Sequence, residues 1–262
     1  MNDYKKIEIP EKYFFDMATK EYHSWKTAFI REFIQNSVDA GASKINTSFK
    51  NGYFEIIDNG TGMDDQTIQE SLLTLGGSKK HGSSVGGLGK AKEILYFSWP
   101  AWSIRSLYWK VDGKGGSYNL SKTKTKYQGT KSSVYLGETF PDPGTCLTTY
   151  LNYCSLPNTK VTFNNQTVRT SQKARKGEAV TTIQDLGTLY ENEVTIRPQV
   201  IVQAHGLYMF SSFGPVDRSY IFDITQNSYD CLTANRNGFK GSWQDKFSQT
   251  LVNVAIDSHS AK

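Results

Sequence analysis

The sequence predicts an α+β protein. Three observations carry this. One strongly amphipathic helix occupies 24–40, an Asn-Gly hairpin follows it at once, and two long stretches downstream read mainly as strands before a helical end.

Each element has its own signal. Residues 1–22 are mixed and carry Pro10, and they read as an N-terminal arm or a short first helix. From Ser24 to Ala40 the apolar positions Trp25, Ala28, Phe29, Phe33, Ile34 and Val38 recur at spacings of three and four, and Gly41 stops the run. "KINTSF" and "YFEII" alternate on either side of Asn51-Gly52, the dipeptide that best marks a tight hairpin. Asp64 caps the next helix, with Ile68, Leu72, Leu73 and Leu75 as its buried side. "GGSKKHGSSVGGLGK", 76–90, is too rich in glycine and serine for a regular element. It reads as a mobile loop that ends in a glycine turn and opens a helix near Lys90. Strands are expected in "WSIRSLYWKV", "SSVYLGE", "TCLTTYL" and "TKVTFNN". "TSQKARKGEA" reads as a linker. "EVTIRPQVIVQAHGLYMF" and "RSYIFDIT" form a second β-rich region, and "SWQDKFSQTLVNVAI" is helical.

Composition narrows the class. The chain has 262 residues, 37% of them hydrophobic and 13% aromatic, which supports a real core. A formal charge of +5 permits an anionic partner without demanding one. Three cysteines with no CxxC pair fit a reducing interior better than a disulfide framework. No apolar signal core opens the chain, and no run reaches the roughly 18 residues of a membrane span. A soluble, cytoplasmic protein is the expectation. The ending "AIDSHSAK" suggests a piece of something longer.

Three pieces carry chemistry. Glu32 and Asn36 are four apart on one helix face, and Asp39 joins them three residues on. An amide oxygen beside acids suits a hard cation such as Mg²⁺ shared with phosphate, and a nearby Glu can take a proton from water. In "IIDNGTGM" an apolar run delivers Asp58 to a strand end, where Gly62 leaves room for a flat ring whose exocyclic amine the carboxylate accepts. In "GGLGK" consecutive glycine N–H groups before a helix form an anion cradle. Neither the Walker A pattern nor the Rossmann fingerprint fits this turn. Taken singly, each piece also has an ordinary structural reading, as a solvated helix face, a turn or a loop.

Their order is more telling. ExxxNxxDA, then DxGxGM, then a glycine loop closing on GGxGxA, resembles the GHKL superfamily of gyrase B subunits, ninety-kilodalton heat-shock chaperones, histidine kinases and MutL-type repair proteins. The likeness covers 25 to about 150. "NSVDAGASKI" with "DNGTGM" is most similar to the MutL- and MORC-like branches. The resemblance implies a Bergerat-type α/β sandwich, a mixed and largely antiparallel sheet with helices on one face, over 23–170. A β-rich, transducer-like region over 171–262 follows, shorter than a full transducer domain.

The resemblance also implies site residues. Glu32 matches the general base and Asn36 the Mg²⁺ ligand. Asp58 matches the adenine carboxylate, with Gly60, Gly62 and Met63 in that pocket. Gly76, Gly77, Ser78 and Lys79 begin a lid that runs to Val85. Gly86, Gly87, Leu88, Gly89, Lys90 and Ala91 match the phosphate loop. Thr145, in "PGTCLTTYL", matches a supporting Gly-Thr, and Asp39 a structural brace. "CLTANRNGFKG" is similar to the chaperone segment bearing an arginine that reaches the γ-phosphate, which makes Arg236 the candidate and Lys240 the second.

The function implied is Mg²⁺-dependent ATP binding and slow hydrolysis, coupled to lid closure and homodimerisation through arm exchange. The alternative is a nucleotide-gated clamp, for instance on DNA, with little or no hydrolysis. A histidine-kinase reading is weakest, because His23, His81, His205 and His259 lie in no two-helix hairpin. Between Lys110 and Lys131 six lysines accompany a single acid, Asp112. A solvated hairpin is the simpler account of them, and nucleic-acid phosphate the sharper. Trp99, Trp102 and Trp109 read as core.

Overall fold

The computed structural model describes residues 9–10, 12–22, 24–74, 91–168, 175–192, 197–225 and 229–260. Leu75, the lid from Gly76 to Val85, and the loop from Gly86 to Lys90 lie outside these residues, as do residues 1–8 of the arm.

Helix α1 (Tyr13–Glu21) and helix α2 (Trp25–Asp39) come first. The strands β1 (Lys44–Lys50) and β2 (Tyr53–Asp58) pair antiparallel about Asn51 and Gly52, both at positive φ. A helical turn α3 (Asp65–Thr67) continues as a π-helical segment Ile68–Leu72, and Asp64 caps it by accepting from the Thr67 N–H. A second π-helical segment, Glu93–Phe97, precedes two long strands, β3 (Trp102–Lys114) and β4 (Ser117–Tyr135). Then come α4 (Pro143–Leu151), β5 (Lys160–Phe163) and β6 (Gln166–Val168). The order β3-β4-β2-β1-β5-β6 makes a six-stranded sheet that is antiparallel except where β1 meets β5.

A second sheet holds β7 (Lys176–Ile183), β8 (Gly187–Asn192), β9 (Val200–Ala204), β10 (Leu207–Ser212) and β11 (Tyr220–Ile224) in the order β10-β9-β11-β8-β7. Only β9 and β11 run parallel. Helix α5 (Gly241–Ser260) closes the described chain. The result is a mixed α/β molecule with two mostly antiparallel sheets, in keeping with a Bergerat-type sandwich followed by a β-rich region.

Alternation explains which face of the first sheet is dry. Ile45 and Thr47 on β1, and Phe54, Ile56 and Asp58 on β2, point inward, against Phe29, Phe33 and Ile34 of α2. Each such fully buried apolar side chain contributes about 1.5–3 kcal/mol. Trp99 and Trp102 are buried in the same core and Trp109 packs at its edge. That core is continuous with residues of the second sheet. The two sheets are also tied by backbone: Ser155 N–H donates to Gly206 O, and Gln203 Nε2 donates to Tyr153 O.

Of the two readings of the N-terminus, the short first helix forms over Tyr13–Glu21: Phe14, Ala18 and Tyr22 are buried, with Phe14 edge-on to Phe97. Two expectations change. "TCLTTYL" is the helix α4 and not a strand. Pro143 occupies its first turn and the Asp142 carboxylate accepts from the Thr145 N–H, a start signal that outweighs the β-branched threonines. The linker reading of 170–179 also shortens, because β7 begins at Lys176.

Candidate functional site

Asp58 ends β2 with its carboxylate turned inward, 8% exposed. Oδ1 accepts from the N–H of Gly60 at 2.9 Å and of Thr130 at 3.2 Å, and Oδ2 accepts from Ser37 Oγ at 3.2 Å. A carboxylate offers about four acceptor positions. Three are used among the described residues, and the one left is on Oδ2. Burial raises the Asp58 pKa above its ordinary value, against the lowering effect of these hydrogen bonds.

Glycines shape the surround. Gly62 takes φ +76°, and a Cβ there would stand 2.9 Å from Ser106 Oγ and 3.0 Å from Gly129 O. Gly129 takes φ +78°, and its Cβ would fall 2.0 Å from Asp58 O. Ser106 joins the pieces: its Oγ accepts from the Met63 N–H at 2.7 Å and donates to Gly129 O at 2.9 Å. The Cβ position of Gly60 is filled by Ala40, at 2.7 Å. Asn59 serves the scaffold, since its Oδ1 accepts from the N–H groups of Ser43 and Lys44.

Helix α2 supplies the second half. Glu32 is 4% exposed, while Asn36, one turn on, is exposed and Asp39 is half-buried. Glu32 Oε1 accepts from its neighbour Arg31, at 3.1 Å from Nη2 and 3.3 Å from Nε. Adjacent helix residues do not normally face each other, so this contact bends the Arg31 side chain back. The Tyr22 ring lies against the same guanidinium, 6.0 Å from its carbon.

The second sheet brings Arg236 to this point. Leu232 bridges to Phe239, whose ring sits among Phe210, Phe222 and Phe247, and the turn between them carries Arg236 at φ +56°. Arg236 is 6% exposed; Nε lies 3.9 Å from Glu32 Oε1 and Nη1 donates to Gln35 Oε1 at 3.3 Å. Lys240 is exposed and its N–H bonds Cys231 O. The structure therefore joins Arg236 and Glu32 across two hundred residues, and leaves Lys240 outside.

Thr145 is not beside Asp58. It is exposed in the first turn of α4, and its hydroxyl and N–H bond Asp142, which holds that carboxyl below the usual range. Its neighbour Cys146 bonds Thr27, while Asp58 bonds Ser37. Ten residues of helix, about 15 Å, separate those two anchors. The Gly-Thr beside Asp58 is instead Gly129-Thr130, in "YQGTKSSVY", whose Thr130 N–H bonds the Asp58 carboxylate. The signal was a Gly-Thr inside an alternating run that pairs with β2.

Lys92, adjacent to the expected phosphate loop, is buried and donates to the carbonyls of Ser71 and Thr74, and burial lowers its pKa. Ala91 is half-buried just before it. The remaining loop and lid candidates fall outside the described residues.

Residues 23–98 match the family model of histidine kinase-, DNA gyrase B-, and HSP90-like ATPases. The matched segment holds Glu32, Asn36, Asp39 and Asp58, and it supports the GHKL superfamily, with ATP as the ligand class and ATPase chemistry in general. No curated protein matches the chain.

The residues fit that ligand. The open acceptor position on Asp58 suits an exocyclic amine, and Gly62 and Gly129 let the backbone close tightly around it, where a Cβ would strike Ser106 or the Asp58 carbonyl. Among the described residues no cluster of three His, Cys, Asp or Glu could hold a metal alone. An exposed Asn carbonyl suits a magnesium ion that keeps its waters and shares phosphate oxygens. No helix among the described residues is long and apolar enough to cross a membrane.

Proposed function

We propose that the chain binds Mg–ATP and hydrolyses it slowly to ADP and phosphate. The observation that carries this is the pairing of Asp58, with one acceptor position open, and the Glu32–Asn36 face of α2, onto which the second sheet lowers Arg236.

Asp58 accepts from the adenine amine, while the Gly60 and Thr130 N–H groups and the Ser37 hydroxyl hold its carboxylate in place. Asn36 would help hold Mg²⁺ beside the nucleotide's phosphates, and the ion would supply charge neutralisation for phosphoryl transfer. Glu32 orients the attacking water and takes its proton, so its carboxylate must come free of Arg31. Arg236 then turns from Glu32 to the γ-phosphate. The glycine loop 86–90 cradles phosphate and 76–85 closes over it. Asp39 braces that loop. In this reading 23–170 is the ATP-binding domain, 171–262 a minimal transducer and 1–22 the arm. Closure drives homodimerisation through the residues ahead of α1.

Glu32→Ala should retain ATP affinity in calorimetry and lose steady-state phosphate release. Unchanged release would sink the assigned role. Sedimentation with a non-hydrolysable analogue tests the dimer, and a monomer throughout counts against it.

One observation favours a second reading. Glu32 is engaged by two guanidinium groups, and a carboxylate so held is a poor base. A nucleotide-gated clamp without useful turnover would look like this, and wild-type phosphate release at background level would select it.

A further inference from the structure

Among the described residues, the helices on the first sheet cover one face only. Its other face is polar and basic. Lys44 and Lys50 of β1, Arg105 of β3, Lys131 of β4 and Lys160 of β5 all point outward there, opposite in parity to the buried Ile45, Ile104, Val134 and Val161. Two β-bulges, at Ser106/Leu107 and Leu107/Trp109, shift the parity of β3, and Lys110 and Lys114 continue the same outer row while Trp109 and Val111 turn inward. Lys122 pairs with Trp109 and lies over its ring on the opposite face, and the Thr123 and Thr125 side chains between the lysines bond Arg105, so Lys122 and Lys124 project away from the outer row.

The charge on this outer face is decisive. It carries those seven cations and two acids, Glu55 bound to Lys131 and Asp112 bound to Lys110. The whole chain has 30 Lys and Arg against 25 Asp and Glu, so this face accounts for the entire excess and the rest is balanced. Lys44, Lys50, Lys114, Lys160 and Arg105 have no acidic partner among the described residues. Two aromatic rings mark one end of this face beside Lys50: Tyr53 and Tyr135, 43% and 38% exposed, stand edge to face with ring centres 5.0 Å apart. A merely solvated face would mix both signs of charge and would not expose paired rings.

We propose that this open face binds a single-stranded polynucleotide, with its phosphates along the cations that lack an acidic partner and its bases stacked on Tyr53 and Tyr135. A flexible strand suits a broad twisted sheet, and a pair of exposed rings at the end of a basic face favours unstacked bases over a duplex. The surface is separate from the nucleotide pocket, which opens on the helical side, so the proposal stands without ATP.

The test is fluorescence anisotropy of a labelled twenty-nucleotide oligo-dT with the full chain, without nucleotide, across a salt series. Five phosphate contacts give a log–log slope of about −3.5, or about a 100-fold loss between 50 and 200 mM salt. The triple variant K44A/K50A/K160A should flatten the slope to about −1.4. Tyr53→Ala should weaken binding about tenfold at fixed salt and leave the slope alone. Lys122→Ala, on the opposite face, should change neither. All five positions are exposed, and thermal melting checks that each variant is folded. No anisotropy change at 50 mM salt, a slope untouched by the triple variant, or an equal-length duplex binding as tightly as oligo-dT would each overturn the proposal.

Discussion

Removing the Arg236 side chain should weaken the fold and not merely the chemistry. Its guanidinium is buried, donates to Gln35 Oε1 at 3.3 Å and stands 3.9 Å from Glu32 Oε1. Breaking a buried ion pair from one side costs about 3–5 kcal/mol when the remaining charge is left uncompensated. Here it is not: Arg31 still holds Glu32 at 3.1 Å. Among the described residues, what Arg236→Ala loses includes the longer ionic contact and a charge-assisted hydrogen bond to Gln35, worth about 1.5–3 kcal/mol. A loss of about 2–3 kcal/mol follows, or about 5–10 °C in melting temperature for a chain of this size. The backbone supplies an internal control. Arg236 takes φ +56°, a left-handed conformation that disfavours any Cβ by about 1–2 kcal/mol. Arg236→Gly should therefore be more stable than Arg236→Ala by about 1 kcal/mol, the reverse of the order in an ordinary helix or strand. Differential scanning calorimetry of the three proteins measures both effects. If Arg236→Ala melts within 1 °C of wild type, or if the glycine variant is the less stable of the two, the 231–240 turn does not dock on α2 in this way.

Further predictions concern the pocket. Asp58→Asn should reduce ATP affinity at least tenfold in calorimetry and leave stability at neutral pH unchanged or higher, because a desolvated charge is removed. The sign with pH follows from the raised pKa: the native carboxyl binds its proton more tightly than the unfolded one, so its contribution to stability declines as pH rises from the ordinary carboxylate value through the raised native value. Denaturant titrations should show that decline between acid and neutral pH in wild type and lose it in Asp58→Asn. Gly129→Ala forces a Cβ to within 2.0 Å of Asp58 O at φ +78°, and should cost about 3 kcal/mol or more and disturb nucleotide binding with it. Thr130→Val should weaken ATP binding more than Thr145→Val does, as calorimetry of the pair would record.

What could be read from the sequence was whatever a short window encodes. The 24–40 periodicity, the Asn51-Gly52 hairpin and the Asp64 cap are local, and each element formed where its signal lay. Asp58 was legible because an apolar strand ending on Asp-Asn-Gly must turn there. Thr145 failed by a rule that was also local: Asp142-Pro143 begins a helix, and a residue in that first turn cannot stand in the strand beside β2. Thr130 could be found only once β4 was known to pair with β2, and that pairing spans more than seventy residues. The same limit hid the basic face, since Lys44, Arg105 and Lys160 come onto one surface only through the β3-β4-β2-β1-β5 order. Glu32 is the instructive case. Its position in the stripe was evident, yet the stripe implied a side chain facing a ligand, and the structure puts it between two arginines, one adjacent and one two hundred residues away. A carboxylate buried this way is stabilised as an anion by the groups that must release it before it can accept a proton. The chemistry proposed for Glu32 thus depends on a rearrangement of Arg31 and Arg236, and the second sheet, which carries Arg236, is the part of the molecule through which that release would be governed.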